Sequence, residues 1–122
     1  MVRRVDLRRL SARRFEDIVV EALDGLPAWV RGRMENVEVI VEEEPPEDDP
    51  GLLGLYEGVP LTERDAGYFG VLPDRITLFR NPLVEACATE EELREEVRET
   101  VVHEVAHFFG ISDERLGELD HT

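Results

Sequence analysis

The sequence predicts a small α+β domain. Apolar residues recur at helical spacing near the start, three short stretches in the middle read as strands, and a long capped helical pattern fills the last third. At 122 residues and 42% hydrophobic content, the chain suits one domain, expected over residues 1–122.

The first element runs from Ser11 to Leu26. Phe15, Ile18, Val19, Ala22, Leu23 and Leu26 share one helical face, Ser11 can cap the start, and Gly25 with Pro27 marks the end. Pro27 to Met34 reads as a short second helix with Trp29 and Val30 as core anchors. In "NVEVIVE" the residues Val37, Val39 and Val41 alternate, as a half-buried strand requires. "EEEPPEDDPG" is a solvated loop by its prolines and like charges. Leu52–Gly58 and Arg75–Arg80 read as two further strands, and the long glycine- and proline-bearing loop between them is of the kind that lines binding sites. "NPLVEAC" has no decisive pattern. Thr89 with Glu92 forms a capping box that opens a long helix closed by Gly110, and the acidic first turn suits its dipole.

The net charge is −15, and all fourteen basic residues are arginine, six of them between Arg3 and Arg14. Phosphate would be repelled by the rest of the chain, so nucleic acid is not an expected partner. No apolar run is long enough to cross a membrane, and Asp17 and Glu21 break the only stretch resembling a secretion signal. With the single cysteine Cys87, which reads as a small buried hydrophobe, this favours a reducing, cytoplasmic setting.

Two of three histidines, His103 and His107, stand four residues apart on the long helix. That spacing aims both imidazoles at one point, as metal ligation requires. On a helical wheel Leu93, Val97, Val101, Val102, Val105, Phe108 and Phe109 fill one arc, with the histidines beside it and Glu104 at its border. Glu104 is placed to touch a water on the metal rather than to ligate it, the division of labour in the H-E-x-x-H signature. Gly110 permits a sharp turn off the helix end, which makes Asp113 a third ligand, with Glu114, Glu118 and His121 as its competitors. His121 could also occupy the open coordination position and silence the site.

The string His103-Glu104-x-x-His107-x-x-Gly110-x-x-Asp113 resembles the extended zinc signature of the metzincin peptidases, in the variant with aspartate as third ligand found in snapalysin-type enzymes. More broadly, the chain is similar to the small bacterial zincin-like metallopeptidases. The similarity runs through "VEEEPPED", "LLGLYEGVPLTER", "GVLPDRITLFR" and "EVRETVVHEVAHFFGISDERL". It implies a minimal zincin-like fold, a mixed sheet of about three to four strands packed on an N-terminal helix and a long active-site helix, with Zn2+ at the motif. Metzincins floor their site with a methionine beyond the third ligand. Here Met1 and Met34 both lie upstream, so Leu116 and Leu119 are the expected floor.

The expected activity is zinc-dependent hydrolysis of peptide bonds, with Glu104 as general base toward the attacking water and a peptide or protein as substrate. Tyr56, Tyr68 and Arg115 are candidates to stabilise the oxyanion, and either "LLGLYEG" or "RITLFR" could offer a sheet edge to an extended substrate. The alternatives are a non-catalytic zinc-binding or regulatory module and, fitting the acidic charge less well, a metal-dependent nuclease.

Overall fold

A computed structural model describes residues 7–65, 72–112, 114 and 115. Ser11 accepts a hydrogen bond from the Arg14 N–H at 3.0 Å and so caps α1 (Ala12–Asp24). The helix buries Phe15, Ile18, Val19 and Ala22, the face the periodicity predicts, and stops where the Gly25 N–H reaches the Glu21 carbonyl. A short second helix, α2 (Ala28–Arg33), follows and buries Val30 alone. Trp29 is not a core anchor: it is 68% exposed. A helix of under two turns presents a narrow buried stripe, and Val30 takes it. The indole keeps one edge covered by the Phe109 ring, centroids 5.7 Å apart.

Three strands, β1 (Val37–Glu42), β2 (Gly54–Glu57) and β3 (Asp74–Phe79), form one mixed sheet in the order β1–β3–β2. β1 runs parallel to β3, and β2 pairs with β3 antiparallel, Tyr56 opposite Ile76. Val37, Val39 and Val41 pack on the core, as their alternation predicts. β3, being central, is buried from Ile76 to Phe79 with no alternation. This corrects one expectation: "RITLFR" is hydrogen-bonded on both sides and offers no edge, whereas "LLGLYEG" forms the outer strand β2.

The undecided "NPLVEAC" segment becomes α3 (Arg80–Glu85), which leaves β3 directly. Pro82 falls in its first turn, where the missing N–H has no intrahelical partner to lose, and Leu83 and Val84 are buried. The acidic loop before β2 is largely exposed and gives Glu43 to Arg80 at 3.0 Å.

α4 (Glu90–Phe108) begins with a reciprocal cap. Thr89 accepts from the Glu92 N–H at 3.1 Å, and the Glu92 carboxylate accepts from the Ala88 N–H at 2.7 Å. Leu93, Val97, Val101, Val105 and Phe108 face the core against α1 and the sheet. Val102 does not join them and is 47% exposed. At about 100° per residue it stands roughly opposite Leu93 on the wheel, beyond the reach of that stripe. An Arg14–Glu90 ion pair and an Arg94–Glu21 pair at 3.4 Å tie α1 to α4. No helix among the described residues is long and apolar enough to cross a membrane.

Candidate metal centre and its cleft

His103 and His107 are both half-buried on successive turns of α4, with ring centroids 4.8 Å apart. Glu104 lies between them in sequence but deeper, only 8% exposed. One ligand atom from each of the three falls within 4.8 Å of the others. Ligands of a single tetrahedral zinc stand about 3.4 Å apart, so modest side-chain rotation would close the two imidazoles on one ion with the glutamate beside it. Two imidazoles are donors that zinc and its divalent neighbours take, and the Glu104 carboxylate stands where it can meet a water on such an ion. The group is therefore able to hold a metal.

The depth of Glu104 has a specific cause. Gly54 on β2 comes so close to α4 that a methyl group built on it would sit 2.7 Å from Thr100 Cγ2 and 3.2 Å from Glu104 Cγ. The stem of Glu104 is thus held between helix and sheet. Thr100, one turn earlier, donates its hydroxyl to the Glu96 carbonyl at 2.8 Å and turns its methyl toward the same glycine. On the wheel Glu104 falls within the apolar stripe rather than at its border.

The end of the helix is a Schellman turn. The Gly110 N–H bonds the His107 carbonyl and the Ile111 N–H bonds the Ala106 carbonyl, each at 2.9 Å, with Gly110 at φ +90°. A methyl group at Gly110 would collide with the Thr62 side chain, so the turn Leu61–Glu63 sits directly against the exit of the motif helix. The sharp turn expected at Gly110 is present. Asp113, the expected third ligand, lies outside the described residues, as do Glu118 and His121. Glu114 is exposed, and Ser112 Oγ accepts from the Arg115 N–H at 3.2 Å. Leu116 and Leu119, the expected floor, also lie outside the described residues; Met34 is half-buried against the main core.

Of the oxyanion candidates, Tyr68 lies outside the described residues and Arg115 is exposed. Tyr56 is committed elsewhere. Its hydroxyl donates to Asp74 Oδ2 at 2.6 Å, and Arg64 donates to the same oxygen at 2.5 Å. Burial, with the Asp74 carboxylate, pushes the phenol well above its ordinary pKa. Arg64 also stacks over the Phe108 ring, 5.5 Å from its centroid, and donates to the Val59 carbonyl at 2.8 Å. This network clamps the loop after β2 to the last turn of α4. Its one local sign in the sequence is a lone Asp74 after Pro73 at the head of an apolar strand.

A cleft of about 380 Å³ opens on the motif. One side is the α4 face carrying Glu96, Glu99, Thr100, His103 and Glu104, and the other is the chain from Asp49 through Leu52 and Leu53 to Gly54. His107, one turn further on, is not part of this lining. Burial also raises the Cys87 thiol, helped by the carboxylates of Glu96 and Glu92, which keeps it protonated at neutral pH.

A conserved hypothetical protein from Thermus thermophilus has a similar solved structure, with a TM-score of 0.57 and 26% identity over 80% of this chain and 92% of that one. No curated protein matches the chain. The family described as zincin-like metallopeptidase matches residues 34–122, which include all three strands, α4 and the whole His103–Asp113 motif. With that match over most of its length, and with the paired imidazoles and the buried glutamate in place, the chain belongs to the zincin-like metallopeptidase family.

Proposed function

We propose that the protein is a zinc-dependent metallopeptidase, with His103 and His107 as ligands, Asp113 as the third, and Glu104 as general base. The observation that carries this reading is the buried Glu104 carboxylate within 4.8 Å of both imidazoles, at the mouth of a substrate-sized cleft. A zinc ion there would lower the pKa of an attacking water and polarise the scissile carbonyl. Glu104 takes the proton as that water adds to the carbonyl carbon, and passes it to the leaving amine as the C–N bond breaks. Its stem packs against Gly54 and the residue lines the cleft, so the carboxylate needs little reorganisation to act. The outer edge of β2 is unpaired among the described residues, and a substrate lying along Gly54–Glu57 would add a strand beside the motif. The carboxylates lining the cleft oppose a nuclease.

The test is Glu104→Gln, which keeps size and hydrogen bonding but removes the base. The zinc-loaded variant should retain its metal and lose peptide hydrolysis by roughly 100-fold or more. Undiminished turnover in the variant would remove Glu104 from the chemistry.

A further inference from the structure

We propose, resting on the metallopeptidase reading, that the cleft selects peptides carrying an arginine or lysine side chain next to the scissile bond. The cleft has two kinds of lining. Leu52, Leu53 and the bare backbone of Gly54 make an apolar wall, while Asp49, Glu96 and Glu99 bring three carboxylates, and no cation is among the described lining residues. Glu96 lies seven residues before His103 on the same helix, a rise of about 10 Å. A side chain entering from the motif end therefore needs a long apolar stem and a positive tip to satisfy both wall and carboxylates. Lysine and arginine have that build.

Arginines pair with Glu21, Glu38, Glu43, Asp74 and Glu90. Asp49, Glu96 and Glu99 make no side-chain hydrogen bond or ion pair among the described residues. Fourteen arginines serve 29 acidic residues, so the lack of a partner is not peculiar to these three. It is their position along an apolar-walled groove leading from the motif, rather than their number, that assigns the specificity. An acidic side chain would meet three like charges there.

The experiment uses zinc-loaded Glu104→Gln protein and alanine-based pentapeptides identical but for one arginine, one norleucine or one glutamate, with binding measured by calorimetry. The arginine peptide should bind about tenfold more tightly than the norleucine peptide, and the glutamate peptide more weakly than either. Adding Glu96→Gln and Glu99→Gln should erase most of that difference. Adding Glu16→Gln and Glu85→Gln, two exposed positions outside the cleft that change net charge equally, should leave it intact. Equal binding of the three peptides, or an equal effect of the control pair, would overturn the proposal. The same peptides given to the zinc-loaded native protein separate the two readings. Cleavage of all three alike overturns the specificity and leaves the peptidase standing. No cleavage, with the arginine preference in binding intact, overturns the peptidase and leaves the cleft's selectivity standing.

Discussion

Two buried carboxylates, Asp74 and Glu104, are set into this fold for opposite ends. Asp74 is 2% exposed and answers to a phenol and a guanidinium, Tyr56 and Arg64, at 2.6 and 2.5 Å. Glu104 is nearly as deep, at 8%, yet faces two imidazoles and a cleft open to solvent. The first carboxylate is neutralised by a fixed cation and holds a loop. The second stands among groups able to hold a metal. Burial alone does not mark a functional carboxylate; the chemistry of its neighbours does.

The comparison breaks most sharply under substitution. Glu104→Gln should cost roughly 100-fold or more in peptide hydrolysis with little change in melting temperature, because the amide keeps the packing against Gly54. Arg64→Ala should do the reverse. Leaving Asp74 buried with only Tyr56 should lower stability by about 2–3 kcal/mol, read by denaturant unfolding, with the metal site unaltered in the folded fraction. If Arg64→Ala abolished activity at full stability, the assignment of that network to structure would be wrong.

Gly110→Ala is expected to cost about 1–2 kcal/mol in stability from the positive φ, before the displacement of Thr62 is counted. It should weaken zinc affinity too, since the Schellman turn takes its carbonyls from Ala106 and His107. Gly54→Ala sharpens the comparison from the Glu104 side. The added methyl pushes on Thr100 and on the glutamate stem, so turnover should fall further than stability does. The smallest effect concerns Cys87, whose raised pKa predicts slow alkylation at pH 7 that quickens as the pH rises. Fast labelling at neutral pH would show that the thiol is not held in its protonated form.

Much of this was legible in the sequence. Ser11 and Thr89 cap the two helices their spacing announces, Val37, Val39 and Val41 mark β1, and Gly110 turns with positive φ. The His103-Glu104-x-x-His107 spacing alone was enough to bring three ligand atoms together. What escaped were pairings between distant segments. Neither the order β1–β3–β2 nor the approach of Gly54 to Thr100 has a local signature, because each depends on how one strand meets another element. Trp29 was misplaced for a related reason: a bulky apolar residue on a very short helix goes where the neighbouring Phe109 leaves room. The acidic character of the cleft was hidden in the same way, since Asp49 and Glu96 lie far apart in the chain and meet only across the fold.

The central claim is that His103 and His107 hold a metal together. It is tested most directly by elemental analysis after loading with zinc and exhaustive dialysis, comparing the native chain with the His103→Ala/His107→Ala double variant. The account predicts one zinc per native chain and none in the folded double variant. Equal zinc in both proteins would contradict it.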